Sequence, residues 1–375
     1  MKGTEMKDVV KNLRRRGLAL LLAGVMVFGA AGCGNAAGEA AQENAPEAAE
    51  AEANEEAAAE EADAAEAETG EESGKDGYLI GYSLNSMDST MKTMADYFEG
   101  VAKEKGWEPV LQNANGDVTT ELNNMEALMN MGCDAVVIMG CDTEGSAAAI
   151  EELGAAGIPV IIAGRAIAAK EESYYTYVAG DHREAGKGQG EYLNGLLEQD
   201  EALELNIAFL YGQSGSSSVE QRYEGFEENC LKGTYAGRVH LVASQYAEFD
   251  TQKAYDITSD MLTTYPEINC FVTQSDEQAA GIINAIKAKG EPVEDFIIVS
   301  IDCSTTGQSY LKSGELDATV LMAMRQLAVS SADYVEAALN GETAEKTNQV
   351  EGYYQLVTPD TYVSVMEANG MTAEE

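Results

Sequence analysis

The fold is decided by residues 133–164, which read CDAVVIMGCDTEGSAAAIEELGAAGIPVIIAG. The apolar runs Ala135–Met139 and Pro159–Ala163 are short and uninterrupted, which is typical of strands buried on both faces of a sheet. Between them, Gly145–Ala156 has the spacing of apolar residues expected for one face of a helix. A strand, a helix and a second strand in this order predict a parallel βαβ unit.

The same alternation extends in both directions from this unit. The other predicted strands are Tyr78–Ser83, Pro109–Asn113, Tyr177–Ala179, Asn206–Tyr211, Val239–Ser244, Cys270–Thr273, Ile297–Ile301 and Ala318–Leu321. Examples of the other predicted helices are Met91–Lys105, Thr119–Met131, Ala185–Leu197, Ser218–Leu231, Thr251–Tyr265 and Gln278–Lys289. About 300 residues of such alternation favour two α/β lobes, each a doubly wound parallel sheet, over a single core.

The N-terminal residues differ from the rest of the chain. Residues 11–16 carry four basic side chains, and residues 18–31 form a short apolar stretch. This order is typical of a signal peptide, and the stretch is too short to be a permanent membrane span. The small residues before Cys33 resemble a bacterial lipobox, in which the cysteine is lipidated, although Ala30 stands where leucine is usual. An ordinary secretory signal with an incidental cysteine is the alternative.

Residues 34–76 contain fifteen acidic residues, one lysine and no aromatic residue. Such a segment has too little apolar surface to offset the entropy of ordering. We therefore expect an acidic, disordered tether between the signal segment, residues 1–33, and the folded part of the chain.

Composition excludes several classes of function. The formal net charge is −42 at pH 7, whereas nucleic-acid binding needs a basic surface. The first predicted strand is followed by neither G-x-G-x-x-G nor a P-loop, so we expect no nucleotide cofactor. The chain has only two histidines and no Ser-His-Asp order, H-E-x-x-H motif or metal-ligand cluster, which disfavours an enzyme. The five cysteines after Cys33 have no zinc or redox spacing and are expected to be mostly small buried side chains.

In parallel sheets, ligands bind beyond the carboxyl ends of the strands, so the residues after each strand are the informative ones. Those residues and their flanks resemble the ribose/galactose-type periplasmic binding proteins, type I solute-binding proteins of sugar importers. The resemblance covers nearly all of residues 77–360 and follows the family's order and spacing. Its motifs are AAGIPVI (155–161), ASQYAEFD (243–250), YPEIN (265–269), QSDE (274–277) and SGELDATV (313–320).

The resemblance implies two lobes joined by three crossovers, near Ala179, Met322 and Val350. The N-terminal lobe then comprises residues 77–179 and 323–350, and the C-terminal lobe residues 180–322 and 351–375. It also implies a monomeric, lipid-anchored binding protein outside the cytoplasm, which closes on a sugar, polyol or amino sugar and delivers it to an ABC permease. A lipoprotein that presents its ligand to a membrane receptor or kinase would use the same pocket. The sugar-sensing core of a transcription regulator shares the fold, but the export signal disfavours it.

The same resemblance implies which residues form the ligand site. Arg165 is expected to grip sugar hydroxyls, Phe249 to stack on the sugar ring, and Asp302 to accept hydroxyl hydrogen bonds. Ser275 stands where the family has a ligand-binding asparagine, and Asp276 is expected to be a helix cap. Alternatively, Arg165 lies on the surface, Phe249 packs in the core, and Asp302 caps the next helix.

Other expected site residues depart from the family. The Asp181-His182 pair adjoins the hinge, and one of the two residues is expected to face the cleft. Alternatively, His182 is a plain surface residue. Glu220 stands where the family often has arginine, which predicts an acidic contact for a cationic ligand group. Met322 is a further candidate and stands where the family has a glutamine. Asp88 and Met91 are also candidates, because they belong to the loop after the first strand, which lacks the family's aromatic pair. Met94 is expected to be a core residue.

Overall fold

The computed structural model describes residues 77–371. These residues form two six-stranded sheets with helices on both faces. The strands are β1 Leu79–Leu84, β2 Glu108–Asn113, β3 Ala135–Met139, β4 Val160–Ala163, β5 Thr176–Ala179, β6 Leu205–Tyr211, β7 Val239–Tyr246, β8 Cys270–Thr273, β9 Ile297–Asp302, β10 Ala318–Met322, β11 Thr347–Gln349 and β12 Tyr354–Val357. The helices are α1 Ser89–Glu104, α2 Val118–Asn130, α3 Ala147–Ala155, α4 His182–Gln199, α5 Ser217–Phe226, α6 Thr251–Thr264, α7 Asp276–Ala288, α8 Thr305–Ser313, α9 Met324–Leu339 and α10 Tyr362–Ala368.

The first sheet has the strand order β11-β5-β4-β3-β1-β2, and the second has the order β12-β10-β9-β8-β6-β7. Every pairing is parallel except β10 with β12. We call the first sheet with its packed helices the first lobe, and the second sheet with its helices the second lobe. The chain passes from one sheet to the other after β5, after β10 and after β11.

Burial explains why the inner strands have uninterrupted apolar sequences. Every residue of β3, β8, β9 and β10 is buried, because helices cover both faces of each sheet. The edge strand β7 is largely exposed, and the edge strand β2 is mostly half-buried. The cysteines at positions 133, 141, 230, 270 and 303 are buried, as predicted, and none of them is paired.

Several elements differ from the prediction. Strands β11 and β12 are absent from it, because three and four residues of mixed polarity give no periodic signal. Helix α4 begins at His182, earlier than predicted, because Asp181 caps it by accepting a hydrogen bond from Arg183 N. The predicted helix Ser218–Leu231 is α-helical only to Phe226 and then continues as a π-helix through Leu231.

Candidate ligand-binding site

A cavity lies between the carboxyl ends of the two sheets. Its walls come from both lobes. In the first sheet, Met139 ends β3 and Arg165 follows β4. In the second sheet, Ser275 follows β8 and Asp302 ends β9. This is the edge at which parallel sheets present residues to ligands.

Eight of the nine predicted site residues line this cavity. They are Asp88, Met91, Arg165, His182, Phe249, Ser275, Asp302 and Met322. Their position is a finding, whereas the binding of a ligand by each of them stays a prediction.

The ninth residue, Glu220, is wrongly placed by the prediction. Glu220 is exposed on α5, whereas Arg222 is 4% exposed and lines the cavity. Residues two positions apart on a helix point to different sides. Arg222 lies three residues after Val219 and four before Phe226, both fully buried, so helical periodicity already places it on the inner face.

Two buried guanidinium groups dominate the electrostatics of the cavity. Arg222 donates from Nη1 to the Gln274 carbonyl oxygen at 2.9 Å, and its Nη2 lies 3.0 Å from Met322 Sδ. The Nε atom of Arg222 is buried and has no hydrogen-bond partner among the described residues. A buried cation with an unused donor is well suited to bind a ligand oxygen.

Arg165 is held on the first-lobe side. Its Nη1 donates to the Gly140 carbonyl oxygen at 3.3 Å, and the Asn85 amide oxygen can accept from both terminal nitrogens at 3.2 and 3.3 Å. Burial, together with the charge of Arg222, lowers the pKa of Arg165 to about 10, so the side chain is still charged at neutral pH. The Phe249 ring lies 5.4 Å from the Arg165 guanidinium and 6.0 Å from that of Arg222, within range of cation–π attraction.

Gly164 lines the cavity beside Arg165. Its φ angle is 72°, in the region that favours glycine, and a Cβ atom there would overlap Met139 Cε. The local backbone turn therefore requires glycine at this position.

Asp302 is 9% exposed and has a φ angle of 117°. Burial, reinforced by the nearby Asp276 carboxylate, raises the pKa of Asp302 well above its usual value. Asp302 is not the cap of α8, because Ser304 Oγ accepts the hydrogen bond from Gly307 N at 3.3 Å. Its carboxyl group therefore lines the cavity without a capping role.

The expectation for Asp276 is wrong. Ser275, not Asp276, caps α7, since Ser275 Oγ accepts from Gln278 N at 3.3 Å. Asp276 is fully buried behind the cavity. An acidic residue at a helix start usually indicates a cap, and only tertiary contacts distinguish the two roles.

His182 is the member of the Asp181-His182 pair that lines the cavity, and it is only 1% exposed. Its ring contacts Tyr354 Oη through Nδ1 and the Gly164 carbonyl oxygen through Nε2. A carbonyl can only accept, so Nε2 carries the proton and Nδ1 accepts from the tyrosine hydroxyl. Burial and the nearby charge of Arg222 lower the pKa of His182 to about 3, which keeps the imidazole neutral.

The loop after β1 contributes Asp88 and Met91. Asp88 Oδ1 accepts from the backbone nitrogens of Thr90 and Met91 at 3.0 Å each, so its carboxylate caps α1 as well as lining the cavity. Met94 is fully buried in the first-lobe core, as predicted.

Besides Gly164, the prediction did not include six further residues that line the cavity. Met139 ends a predicted strand, so its position could have been found from the sequence. Tyr353 lies in the crossover between β11 and β12, where no periodic pattern marks it. The remaining four are Thr90, Ser218, Arg222 and Glu277.

Polar contacts join the lobes at the rim of the cavity. Gln213, which follows β6, accepts from Arg165 Nη1 at 3.2 Å and donates to the Gly116 carbonyl oxygen at 3.1 Å. Ser89 Oγ donates to Glu277 Oε1 at 2.6 Å. Two backbone groups also bond across the lobes: Ala166 N donates to Ser217 Oγ at 3.0 Å, and Thr143 N donates to Gly215 O at 3.1 Å.

Within residues 77–371 no helix has the length and apolarity needed to cross a membrane. The same residues contain no group of three or more His, Cys, Asp or Glu side chains arranged to hold a metal ion.

Comparison with known proteins shows similarity over most of the chain. A family model described as periplasmic binding protein domain matches residues 80–343. A ribose import binding protein of Bacillus subtilis is 24% identical over 274 residues, which cover 73% of this chain and 85% of that protein. The ribose import binding protein of Haemophilus influenzae is 27% identical over 270 residues, which cover 71% and 87%.

Solved structures show the same fold. An ABC transporter solute binding protein of Bacillus halodurans, determined with bound myo-inositol, is 27% identical with a TM-score of 0.70, over 79% of this chain and 100% of that one. A galactofuranose binding protein is 22% identical with a TM-score of 0.72, over 79% and 100%. The predicted fold of two doubly wound lobes is thereby confirmed.

Proposed function

The chain belongs to the periplasmic binding protein domain family, and from this premise we propose that it is an extracytoplasmic solute-binding protein for a sugar or polyol. The observation that carries the proposal is the cavity between the lobes. It places two buried guanidinium groups, a carboxyl group and a phenylalanine ring around one space. Guanidinium and carboxyl groups suit hydroxyl-rich ligands, and an aromatic ring suits the C–H face of a sugar.

The relatives support this ligand class. Two are named for ribose import, and one structure contains myo-inositol. Glu220 is exposed, so the reason to expect a cationic ligand no longer holds. Sugars and polyols without a charged group fit the cavity residues best. Binding and release require no catalytic step, and none is proposed.

Ligand delivery is proposed to work by closure of the two lobes. The N-terminal lobe would comprise residues 77–179 and 323–350, and the C-terminal lobe residues 180–322 and 351–375. A ligand that contacts both lobes favours the closed form through the extra contacts it makes there. An ABC permease would then receive the ligand from the closed, monomeric protein.

Membrane attachment is proposed through lipidation of Cys33, with residues 34–76 as the tether. Both segments lie outside the described residues. Incorporation of labelled palmitate into the wild-type chain but not into Cys33→Ala in a bacterial host would support this. Equal incorporation into both would contradict it.

A thermal-shift panel tests the proposed function. We expect one sugar or polyol among D-ribose, L-arabinose, D-allose, D-fructose, xylitol and myo-inositol to stabilise the full chain. A micromolar ligand at millimolar concentration adds about 4 kcal/mol, because it binds only the folded state. Stabilisation by amino acids or nucleosides instead, with none of the sugars active, would contradict the proposal.

Gln213→Ala is expected to release bound sugar roughly tenfold faster, with little change in the association rate. The variant loses two hydrogen bonds between the lobes, one of them to a charged group. Stopped-flow kinetics would measure both rates. Gln252→Ala is the matched control, because the exposed Gln252 donates to Asp256 on its own helix and, among residues 77–371, makes no side-chain hydrogen bond to the other lobe. Equal dissociation rates for the two variants would argue against closure through this contact.

A further inference from the structure

The chain makes a strained turn where β9 ends. Asp302 and Cys303 have φ angles of 117° and 53°, in a region that favours glycine. Side chains remain in such conformations only where the surrounding structure holds them. Because the Asp302 carboxyl group lines the cavity, the shape of this turn sets the direction in which that group points.

Asp276 holds both backbone N–H groups that follow Asp302. Its Oδ2 accepts directly from Ser304 N at 2.7 Å. Its Oδ1 accepts from Thr319 Oγ1 at 2.9 Å, and the same Thr319 oxygen accepts from Cys303 N at 3.2 Å. One carboxylate therefore fixes two consecutive peptide groups of the turn, one of them through a hydroxyl.

The surroundings of Asp276 are built for this role. Ser300 Oγ, from β9, also donates to Asp276 Oδ1. A Cβ atom on Gly307, in α8, would overlap Asp276 Oδ2, so only glycine permits this approach. Asp276 itself is fully buried, and a buried carboxylate persists where several donors satisfy it.

We propose that Asp276 is a positioning residue, which holds the turn at Asp302 and Cys303 and so aims the Asp302 carboxyl group into the cavity. Thr319 is the hydroxyl relay between Asp276 and the Cys303 peptide group. The proposal depends on the proposed function in one respect, namely that Asp302 contacts the ligand.

Two replacements of Thr319 in the full chain test this. Thr319→Val keeps the shape but removes the hydroxyl, whereas Thr319→Ser keeps the hydroxyl. We expect Thr319→Val to exchange the amides of residues 302–304 faster and to bind D-ribose or myo-inositol roughly tenfold more weakly in calorimetry. Thr319→Ser is expected to restore most of both properties. Asp276→Asn should lose more affinity than Thr319→Val, because the NH₂ group of the asparagine would face another hydrogen-bond donor.

Thr258→Val is the control for loss of a buried hydroxyl. Thr258 is fully buried in α6 of the same lobe, and its hydroxyl has no hydrogen-bond partner among the described residues. It should change neither amide exchange at 302–304 nor affinity. Identical exchange and affinity for Thr319→Val and Thr319→Ser would overturn the proposal. If wild type binds neither sugar, the proposed ligand class fails, and amide exchange alone decides whether Asp276 and Thr319 hold the turn.

Discussion

We expect Arg222→Met to weaken sugar binding on the order of 100-fold, which is the largest loss of affinity expected from any single change in the cavity. Arg222 is buried, its Nη1 donates to the Gln274 carbonyl oxygen, and its Nε has no partner in the described part of the chain. Removing one member of a buried, charge-assisted hydrogen bond costs about 2–5 kcal/mol. Methionine has a similar length and preserves much of the packing, so the loss reports mainly on the guanidinium group. Isothermal titration calorimetry would measure it.

Glu220→Gln is the matched control on the same helix. Glu220 is exposed two residues before Arg222, so its replacement should leave the affinity unchanged. Thermal melting without sugar would show that both variants are folded. A folded Arg222→Met protein with wild-type affinity would remove Arg222 from the site, and a loss confined to Glu220→Gln would restore the acidic contact first expected from the sequence.

His182 is expected to govern part of the acid sensitivity of the fold. The pKa of His182 is lowered to about 3 by burial and by the charge of Arg222, whereas in the unfolded chain it is about 6.5. The unfolded state therefore binds more protons between these values, and the stabilisation present above pH 6.5 is lost as the pH falls. At pH 4 the free energy of unfolding is lower by about 3 kcal/mol because of His182.

The comparison of His182→Gln with wild type isolates this effect. The variant is less stable at pH 7.5 because it loses the contacts with Tyr354 and Gly164. We expect that difference in unfolding free energy to shrink by about 3 kcal/mol at pH 4. Denaturant titrations at several pH values would measure it. His240→Gln, at the exposed second histidine, should follow wild type throughout.

Two buried acids change the free energy of unfolding with pH in the direction opposite to His182, in wild type and in every variant. Burial raises the pKa of Asp276 to about 6 and that of Asp302 well above its usual value. The folded state binds more protons than the unfolded state here, so these groups favour folding as the pH falls. Because both acids are present in wild type and in the variants, they cancel in the comparison. A constant difference between wild type and His182→Gln from pH 7.5 to 4 would contradict the assignment.

The sheets were predictable from the sequence because their inner strands are buried on both faces. Runs such as Ala135–Met139 have no polar interruption, and their bounds agree with the structure. Strand β11 could not be found in this way, since its three residues Thr347–Gln349 are polar and partly exposed. It exists because backbone pairing with β5 stabilises it, which is a tertiary effect.

The cavity was predictable where strand ends alone determine position, as at Arg165 and Asp302. The prediction for Glu220 is wrong because the spacing of a family motif does not determine which side of a helix is buried, whereas helical periodicity places Arg222 on the inner face. The burial of Asp276 depends on donors from β9 and β10 that lie 24 and 43 residues away in the chain. No local pattern contains that information.

Hydrogen–deuterium exchange of the full chain, with and without the sugar that stabilises it most, tests the central claim most directly. The account predicts slower exchange in both lobes together, at residues 88–91 and 164–165 of the first and at residues 249 and 302–304 of the second. Slower exchange in only one lobe, or only at sites away from the cavity, would contradict a ligand held between the lobes.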